Sequence, residues 1–497
     1  MSDSGDDGGA TPPPAAPTAR RRLPWRDDPR ATAVIVASAL FMQNLDGTVV
    51  ATALPTMARD LGETPIHLSA AITAYLVALT VLIPVSGWVA DRFGARRVFL
   101  WAIVVFVLSS AACGLARSLP ELIAARTAQG AGGALMVPVA RLLLLRRVTK
   151  EELVRATTWL TMPGLLGPIL GPPLGGFLTD ALSWRAVFLI NLPVGALGLF
   201  MAWRFVPEPG PTAGAPPLDL PGVVLVGGAL AALMVGLETV GRGLIPLSAS
   251  LAAFGGGVAL GWAALRHLRR AANPAVDLTL LRDPAFAASC VAGTLFRVGA
   301  GATPFLVPLA LQLGFGVSAT VSGVVSLATA LGAMASKPVV QAVLRAFGFR
   351  GTLVWNGVAA AAGIAALALV GPAWPLAAVF VLLAAGGVFR SVQFTALNTL
   401  AYAELPSERL SAATSLYATV QQLSLALGVV VGSGALAAAA AITGGGPGAA
   451  PGADDLPVAF LIAALPILLS VPLAARLPPG AGAQVSGHRR GGAASGR

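Results

Sequence analysis

Asp46, Arg126, Arg297 and Arg390 are ionisable residues embedded in long apolar runs. Three of them have an amide within a turn: Gln43 and Asn44 beside Asp46, Gln129 beside Arg126, and Gln393 beside Arg390. An ionisable group at mid-bilayer costs at least about 2.5–3.5 kcal/mol on insertion scales, so its retention points to a proton relay, an ion path or a substrate contact. Asp46 is the one carboxylate deep in such a run, since Asp180 and Glu238 lie near run ends. It is therefore the expected proton carrier. A dry environment favours the neutral acid and a neighbouring Arg favours the carboxylate, so a cargo that displaces Arg126 would toggle protonation. A permanent Asp46–Arg126 ion pair that only fixes the fold is the alternative.

Arg297 and Arg390 have no evident acid partner in their runs. They either meet anionic groups on a cargo or bond to backbone carbonyls in a solvated cavity. Arg141 and Lys337 fall near run ends and are expected to snorkel to the interface. Other chemistries find little material. A phosphate-binding loop needs Gly-Lys-Ser/Thr, yet Lys150 and Lys337 are followed by Glu and Pro. His67, His267 and His488 lie outside the apolar runs, and Cys113 and Cys290 lie inside them as small hydrophobes. No enzyme, metal site, nucleic-acid site or bound cofactor is expected; a proton gradient would be the energy source.

The elements that must position these residues are membrane helices. The chain has 497 residues, 56% hydrophobic and 11% charged, with a mean hydropathy of +0.79, against roughly 25% charge in soluble domains. Apolar runs of about 18 or more residues read as spans. Fourteen are expected, near 32–57, 69–90, 98–116, 119–145, 154–180, 186–206, 220–240, 246–265, 284–312, 318–343, 352–371, 374–402, 411–442 and 456–475, an all-α polytopic membrane protein. Of the 33 Lys and Arg, most fall in the tails and in loops after even-numbered spans. Arg59, Arg117, Arg185 and Arg242 face the other way. The positive-inside rule then places both termini in the cytoplasm of a multi-pass inner-membrane protein.

At 1.5 Å per residue, Asp46, Arg126, Arg297 and Arg390 come out about 18–21 Å from the cytoplasmic side. One shared layer is thus expected, lining a polar cavity between two halves together with Gln43, Asn44, Gln129 and Gln393. Arg92-Phe93-Gly94-Ala95-Arg96 recurs in shape as Ala346-Phe347-Gly348-Phe349-Arg350, a shift of 254 positions. Arg126-x-x-Gln129 against Arg390-x-x-Gln393 is out of that register and reads as coincidence. The expected organisation is a disordered cytoplasmic tail over 1–30, a six-helix bundle over 31–206, two linker spans and a cytoplasmic loop over 207–283, a second six-helix bundle over 284–476, and a disordered tail over 477–497.

Four segments carry a resemblance. Leu45-Asp46-Gly47-Thr48-Val49-Val50 with Ala53-Leu54-Pro55, Gly87-Trp88-Val89-Ala90-Asp91-Arg92-Phe93-Gly94-Ala95-Arg96-Arg97, Arg126-Thr127-Ala128-Gln129-Gly130, and Gly164-x-x-Gly167-Pro168-x-x-Gly171-Pro172-Pro173-x-Gly175-Gly176 occur in this order. They resemble the signatures of the major facilitator superfamily, in particular its fourteen-span drug:proton antiporter family of the EmrB/QacA type. Ser183-Trp184-Arg185-x-x-Phe188-x-Ile190-Asn191-x-Pro193 resembles the same branch.

The resemblance implies two six-helix bundles with two extra helices between them, and proton coupling through Asp46 and Arg126. It implies a conformational latch at Gly87, Asp91, Arg92, Gly94, Arg96 and Arg97. It also implies an antiporter-motif helix built on Gly167, Pro168, Gly171, Pro172, Gly175 and Gly176. In the second half Gln341 and Arg345 stand where the latch has Gly87 and Asp91, which leaves the latch one-sided. The function implied is proton-coupled export of small organic molecules by alternating access. Import or anion and metabolite export on the same fold, and a transport-inactive membrane sensor, are the alternatives. A monomer embedded in the bilayer is expected, with any periplasmic adaptor left open.

Overall fold

The computed structural model describes residues 29–63, 65–207, 217–239, 245–317, 319–443 and 452–488. Helices dominate because backbone groups in a bilayer must be satisfied within the segment itself. The N-terminal bundle comprises α1 (Pro29–Leu61), α2 (Pro65–Leu82) running through a tight turn at Ile83–Val85 into α3 (Ser86–Phe93), α4 (Ala95–Leu115), α5 (Leu119–Leu145), α6 (Leu153–Ala181), and the broken sixth crossing α7 (Ala186–Leu189) and α8 (Asn191–Phe205). A hairpin of α9 (Leu220–Thr239) and α10 (Leu247–Leu268) follows. The second bundle comprises α11 (Pro284–Leu309), α12 (Ala319–Ala335), α13 (Val340–Ala366), α14 (Leu376–Ala403), α15 (Leu410–Ile442) and α16 (Leu456–Ala475), and a short α17 (Ala483–Ser486) ends it.

Twelve helices among the described residues are long and apolar enough to cross a membrane. The 29-residue α6 and the 17-residue α12 bring the crossings among the described residues to fourteen, six in each bundle and two in the hairpin. Within α11, Pro304 and Pro308 remove amide donors, and the helix relaxes into a wide π-turn over Ala310–Gly314.

The shifted repeat is structural. Gly94 (φ 91°) ends α3 and Gly348 (φ 65°) breaks α13, each in a backbone conformation that side chains disfavour. Pro84 and Pro338 stand at the two preceding turns. The expected boundary between the tenth and eleventh crossings is corrected accordingly. Pro338 ends the tenth early, and residues 340–347 form a separate helical piece equivalent to α3.

The terminal expectations fare differently. Residues 1–28 lie outside the described residues, while Pro29 and Arg30 already belong to α1. Residues 478–488 are ordered, not the disordered tail expected from their composition. Leu477, Ala481 and Val485 are buried, the Gly482 amide donates to Glu404 at 2.8 Å, and His488 Nδ1 bonds the Arg345 carbonyl at 2.8 Å. Three spaced apolar residues suffice to dock a short tail. Residues 489–497 lie outside the described set.

The linker hairpin is fastened by Asp219, which pairs with His267 at 2.8 Å and accepts from the Gly222 and Ala275 amides. Burial pushes that carboxyl up, but these donors outweigh it and hold it below the usual carboxylate range. A carboxyl so lowered stabilises the fold at neutral pH and loses that contribution as pH falls through the lowered value.

Candidate functional site

Asp46 lies on the face of α1 that meets α5 and α8, and its three side-chain hydrogen-bond partners among the described residues all donate. Arg126 Nη1 donates to Oδ2 at 2.6 Å, and Gln129 Nε2 and Asn191 Nδ2 donate to Oδ1 at 2.9 and 3.1 Å. Asp46 and Arg126 are each 1% exposed. A carboxylate is acceptor-only, so three donors fit the charged form; a proton on Oδ1 would displace one of its two donors, and a proton on Oδ2 would weaken the charge-assisted bond from Arg126.

A second ring of contacts holds the donors. Arg126 Nη1 also reaches Gln129 Oε1 at 2.7 Å, and its guanidinium stacks 4.4 Å from the Tyr75 ring centre. Asn191 donates to Ser110 at 3.0 Å, and Ser110 donates to the Phe188 carbonyl at 2.9 Å. Among the described residues, nothing hydrogen-bonds to the buried Arg126 Nε or Tyr75 Oη. The pair sits in a polar network with spare donors, ready for rearrangement.

Asn191, Ser110 and Tyr75 were not singled out as site residues from sequence. Asn191 carries the legible signal, an amide at the start of an apolar run inside the Ser183–Pro193 motif. The other end of that motif clamps α1 at its far end, where Trp184 Nε1 and Arg185 Nη1 bond Asp60 at 2.8 and 2.6 Å.

The antiporter-motif glycines press α6 against the opposite face of α1, beside Asp46. A Cβ on Gly167 would lie 2.8 Å from Asn44 Cβ, and one on Gly171 would lie 2.0 Å from Thr48 Oγ1. Gly175 is buried, Gly176 faces open space, and Pro168 and Pro172 lie within α6 with side chains outside the described set. Small residues let membrane helices approach this closely. Span 1 is therefore gripped from two sides at the level of its acid.

Of the residues expected to form a latch, Gly87 and Asp91 contact the second bundle, at the arginine-rich end of the molecule. The Gly87 amide donates to Ser415 Oγ at 2.7 Å, and Ser86 and Ser415 share a hydrogen bond at 2.9 Å. Asp91 accepts from Arg146 at 2.7 Å and from Ser411. Arg96 donates to the Trp203 carbonyl, while Arg92 and Arg97 are exposed. The latch is asymmetric: Arg345 meets the chain's own tail through His488 instead of the other bundle.

A Cβ on Gly87 would lie 2.5 Å from the Ser411 carbonyl. Gly87→Ala is accordingly expected to wedge α3 from α15 at a cost of about 1–3 kcal/mol. A maleimide should then label Thr419→Cys faster in that background. Thr419 is 7% exposed in the closed arrangement, and an unchanged labelling rate would show that the bundles part without disturbing this contact.

The expected single layer of charges is not what the structure contains. Arg297 is 0% exposed and donates to Tyr417, which donates to Asn398 at 2.8 Å. Tyr417 lies two turns from the start of α15, roughly 10 Å from the arginine-rich end, whereas Arg126 lies two turns from the opposite end of α5. Arg390 lines a small cavity inside the second bundle, among α11, α12, α13, α14 and α16. Gln393 is taken up in packing, bonded to Asn356 at 2.8 Å and to the Leu353 carbonyl at 3.1 Å. Gln43 is half-buried with an unpartnered Oε1, and Asn44 is exposed.

Only Asp46, Arg126 and Gln129 of the predicted polar set are brought together. Helix ends are not level, and a long Arg side chain reaches a turn or more from its own Cα, so depth counted from run ends misplaces it. Arg141 and Lys337 are likewise corrected. They do not snorkel but are 7% and 8% exposed, with Arg141 bonded to Tyr402 across the two bundles at 3.3 Å and Lys337 to Thr395 at 3.1 Å.

The sequence model of the Major Facilitator Superfamily matches residues 36–429. A curated protein named multidrug resistance protein MdtD from Salmonella paratyphi A is 37% identical over 413 residues, covering 82% of this chain and 86% of that one. A protein of the same name from Citrobacter koseri is 38% identical over 411 residues, with the same two shares. Among solved structures, the human organic anion transporter MFSD10 aligns with a TM-score of 0.59 at 16% identity, over 91% of this chain and 100% of that one.

Proposed function

Because this chain belongs to the major facilitator superfamily of membrane transporters, we propose that it is a proton-coupled antiporter that exports small organic molecules across the inner membrane by alternating access. The observation that carries the reading is the fully buried Asp46–Arg126 pair at 2.6 Å. The fourteen-span drug:proton antiporters that the sequence resembles place a carboxylate inside the membrane on this helix. The relatives named for multidrug resistance favour drug-like cargo.

Both termini are cytoplasmic in this proposal, since the arginine-rich loops then face the cytoplasm. The closed latch makes this the state shut toward the cytoplasm. A proton entering from outside binds Asp46 and removes the negative charge that holds Arg126. Arg126 is then held by the Tyr75 ring and Gln129 Oε1, which interact with a cation without needing the carboxylate. Release of the α5 side of α1 loosens the grip on span 1 and lets the latch open. Cargo entering from the cytoplasm then favours the carboxylate's return to Arg126 and expulsion of the proton. The chain acts alone in the bilayer, with the proton gradient as its energy source and no bound cofactor.

Everted membrane vesicles with an imposed inward-acid gradient test this. Proton-driven accumulation of a lipophilic dye inside them is the expected result. Depletion of the dye would indicate import instead, and no gradient-dependent flux for a panel of dyes would indicate a sensor.

A further inference from the structure

The polar cluster of the first bundle has a counterpart of a different chemistry in the second. Gly130 packs against the Tyr75 carbonyl, where a Cβ would sit at 2.4 Å, and Gly387 packs against the Thr329 carbonyl, where a Cβ would sit at 2.1 Å. Tyr75 and Thr329 are related by the same shift as Gly94 and Gly348, so the two glycines mark equivalent levels of α5 and α14. In that register Leu383 takes the place of Arg126 and Gly386 the place of Gln129. The second bundle therefore has no acid–arginine pair at this level. It has a cavity of about 30 Å³, lined by Thr303, Thr329, Leu383 and Gly386 among others.

Arg390, about two turns further along α14, lines the same cavity. Among the described residues, no carboxylate, carbonyl or hydroxyl accepts a hydrogen bond from it. Thr303 is 8% exposed, lines the cavity, and has an unpartnered buried Oγ1. A guanidinium carries five N–H donors and is not deprotonated in proteins. At mid-helix in a bilayer it needs an opposite charge or its equivalent in acceptors.

We infer that Arg390, Thr303 and Thr329 form a binding site for one small monovalent inorganic anion of the chloride class, in the second bundle. The anion supplies the charge that Asp46 supplies to Arg126 in the first. Size decides the class. A water needs roughly 10–15 Å³ of such volume, so the cavity takes two or three water-sized species and is too small for the carbon skeleton of an organic carboxylate. A water would solvate the guanidinium without neutralising it, and a divalent oxyanion would leave a net negative charge among apolar walls. The site lies inside one bundle, apart from the Asp46 cluster, so it serves as a fixed counter-ion and is not part of the cargo path.

The test is equilibrium binding of radioactive chloride to the purified full-length protein in lipid nanodiscs, without cargo or proton gradient, gluconate replacing chloride at constant ionic strength. Saturable binding near one ion per chain is expected, with bromide competing. Arg390→Gln should weaken it about 10- to 100-fold, the range of a charge-assisted bond. Thr303→Val keeps the side-chain shape and the arginine, so it stays informative if the arginine variant misfolds; it should weaken chloride about 3- to 10-fold. No saturable binding, or wild-type affinity in Thr303→Val, would overturn the site. Displacement of chloride by salicylate at matching affinity would overturn it too, by showing that the arginine meets a carboxylate of cargo. Because no transport is measured, none of these outcomes depends on the direction or coupling of export.

Discussion

Asp46→Asn is expected to abolish proton-driven accumulation in everted vesicles while leaving the protein in the membrane. An amide cannot carry the proton, so cargo would equilibrate down its own gradient, and flux would lose its dependence on the imposed pH difference. The same change leaves the Arg126 guanidinium buried without a full counter-charge. Breaking one side of a buried pair costs about 3–5 kcal/mol, and at 1% exposure solvent offers Arg126 little relief. Thermal stability in detergent should therefore fall as well.

A second variant separates the two effects. In Asp46→Asn/Arg126→Gln both charges are gone, and amides can bond to each other and to Gln129 and Asn191. Stability should return to near the wild-type value while coupling stays absent. If the double variant recovered pH-dependent transport, Asp46 would be a structural partner of Arg126 and the proton would travel elsewhere. If the single variant already transported with full pH dependence, the proposed mechanism would be wrong at its first step.

Why the sequence reveals Asp46 and Arg126 but misplaces Arg297 and Arg390 has a physical answer. A carboxylate and an arginine in apolar runs are each costly, and two costs are most cheaply offset by one contact. Their pairing follows from composition and helix order, and the amide at Gln129, one turn from Arg126, joins without further information. Level and direction do not follow in the same way.

The repeat shift is 254 at Gly94 and Gly348 but larger at Gly130 and Gly387, so small length changes accumulate along the second bundle. A match such as Arg126 and Arg390 can therefore look equivalent while lying about two turns apart. Tyr417, which receives Arg297, is an ordinary apolar-run aromatic until its hydroxyl is seen facing Asn398. The ordered tail is hidden for a related reason. Residues 478–488 have a composition suited to solvent, and the burial of Ala481 and Val485, next to that of Leu477, is what distinguishes them from it. The fourteen crossings, by contrast, are legible because the bilayer imposes one length scale on every run.

Gly171→Ala is expected to cause the largest loss of folded protein among single-methyl changes to the antiporter-motif helix. The added Cβ would lie 2.0 Å from Thr48 Oγ1 and 2.7 Å from Thr48 Cβ, so rotating the hydroxyl away does not clear it, and α6 must move off α1. That movement also disturbs the Thr48 hydroxyl's contact with the Gly167 carbonyl at 3.3 Å and the turn of α1 that presents Asp46. Gly176→Ala, five residues along the same helix, meets nothing within 4 Å and exchanges a poor helix former for the best one, a gain of about 1 kcal/mol. Membrane yield and monodispersity on size exclusion should therefore fall sharply for the first and hold or rise for the second. Rescue gives the decisive comparison. Thr48→Gly costs about 1 kcal/mol in helix propensity but removes both clashing atoms, so Gly171→Ala/Thr48→Gly should fold better than Gly171→Ala alone. A double variant no better than the single would mean that the close approach of α6 to α1 is not what Gly171 provides.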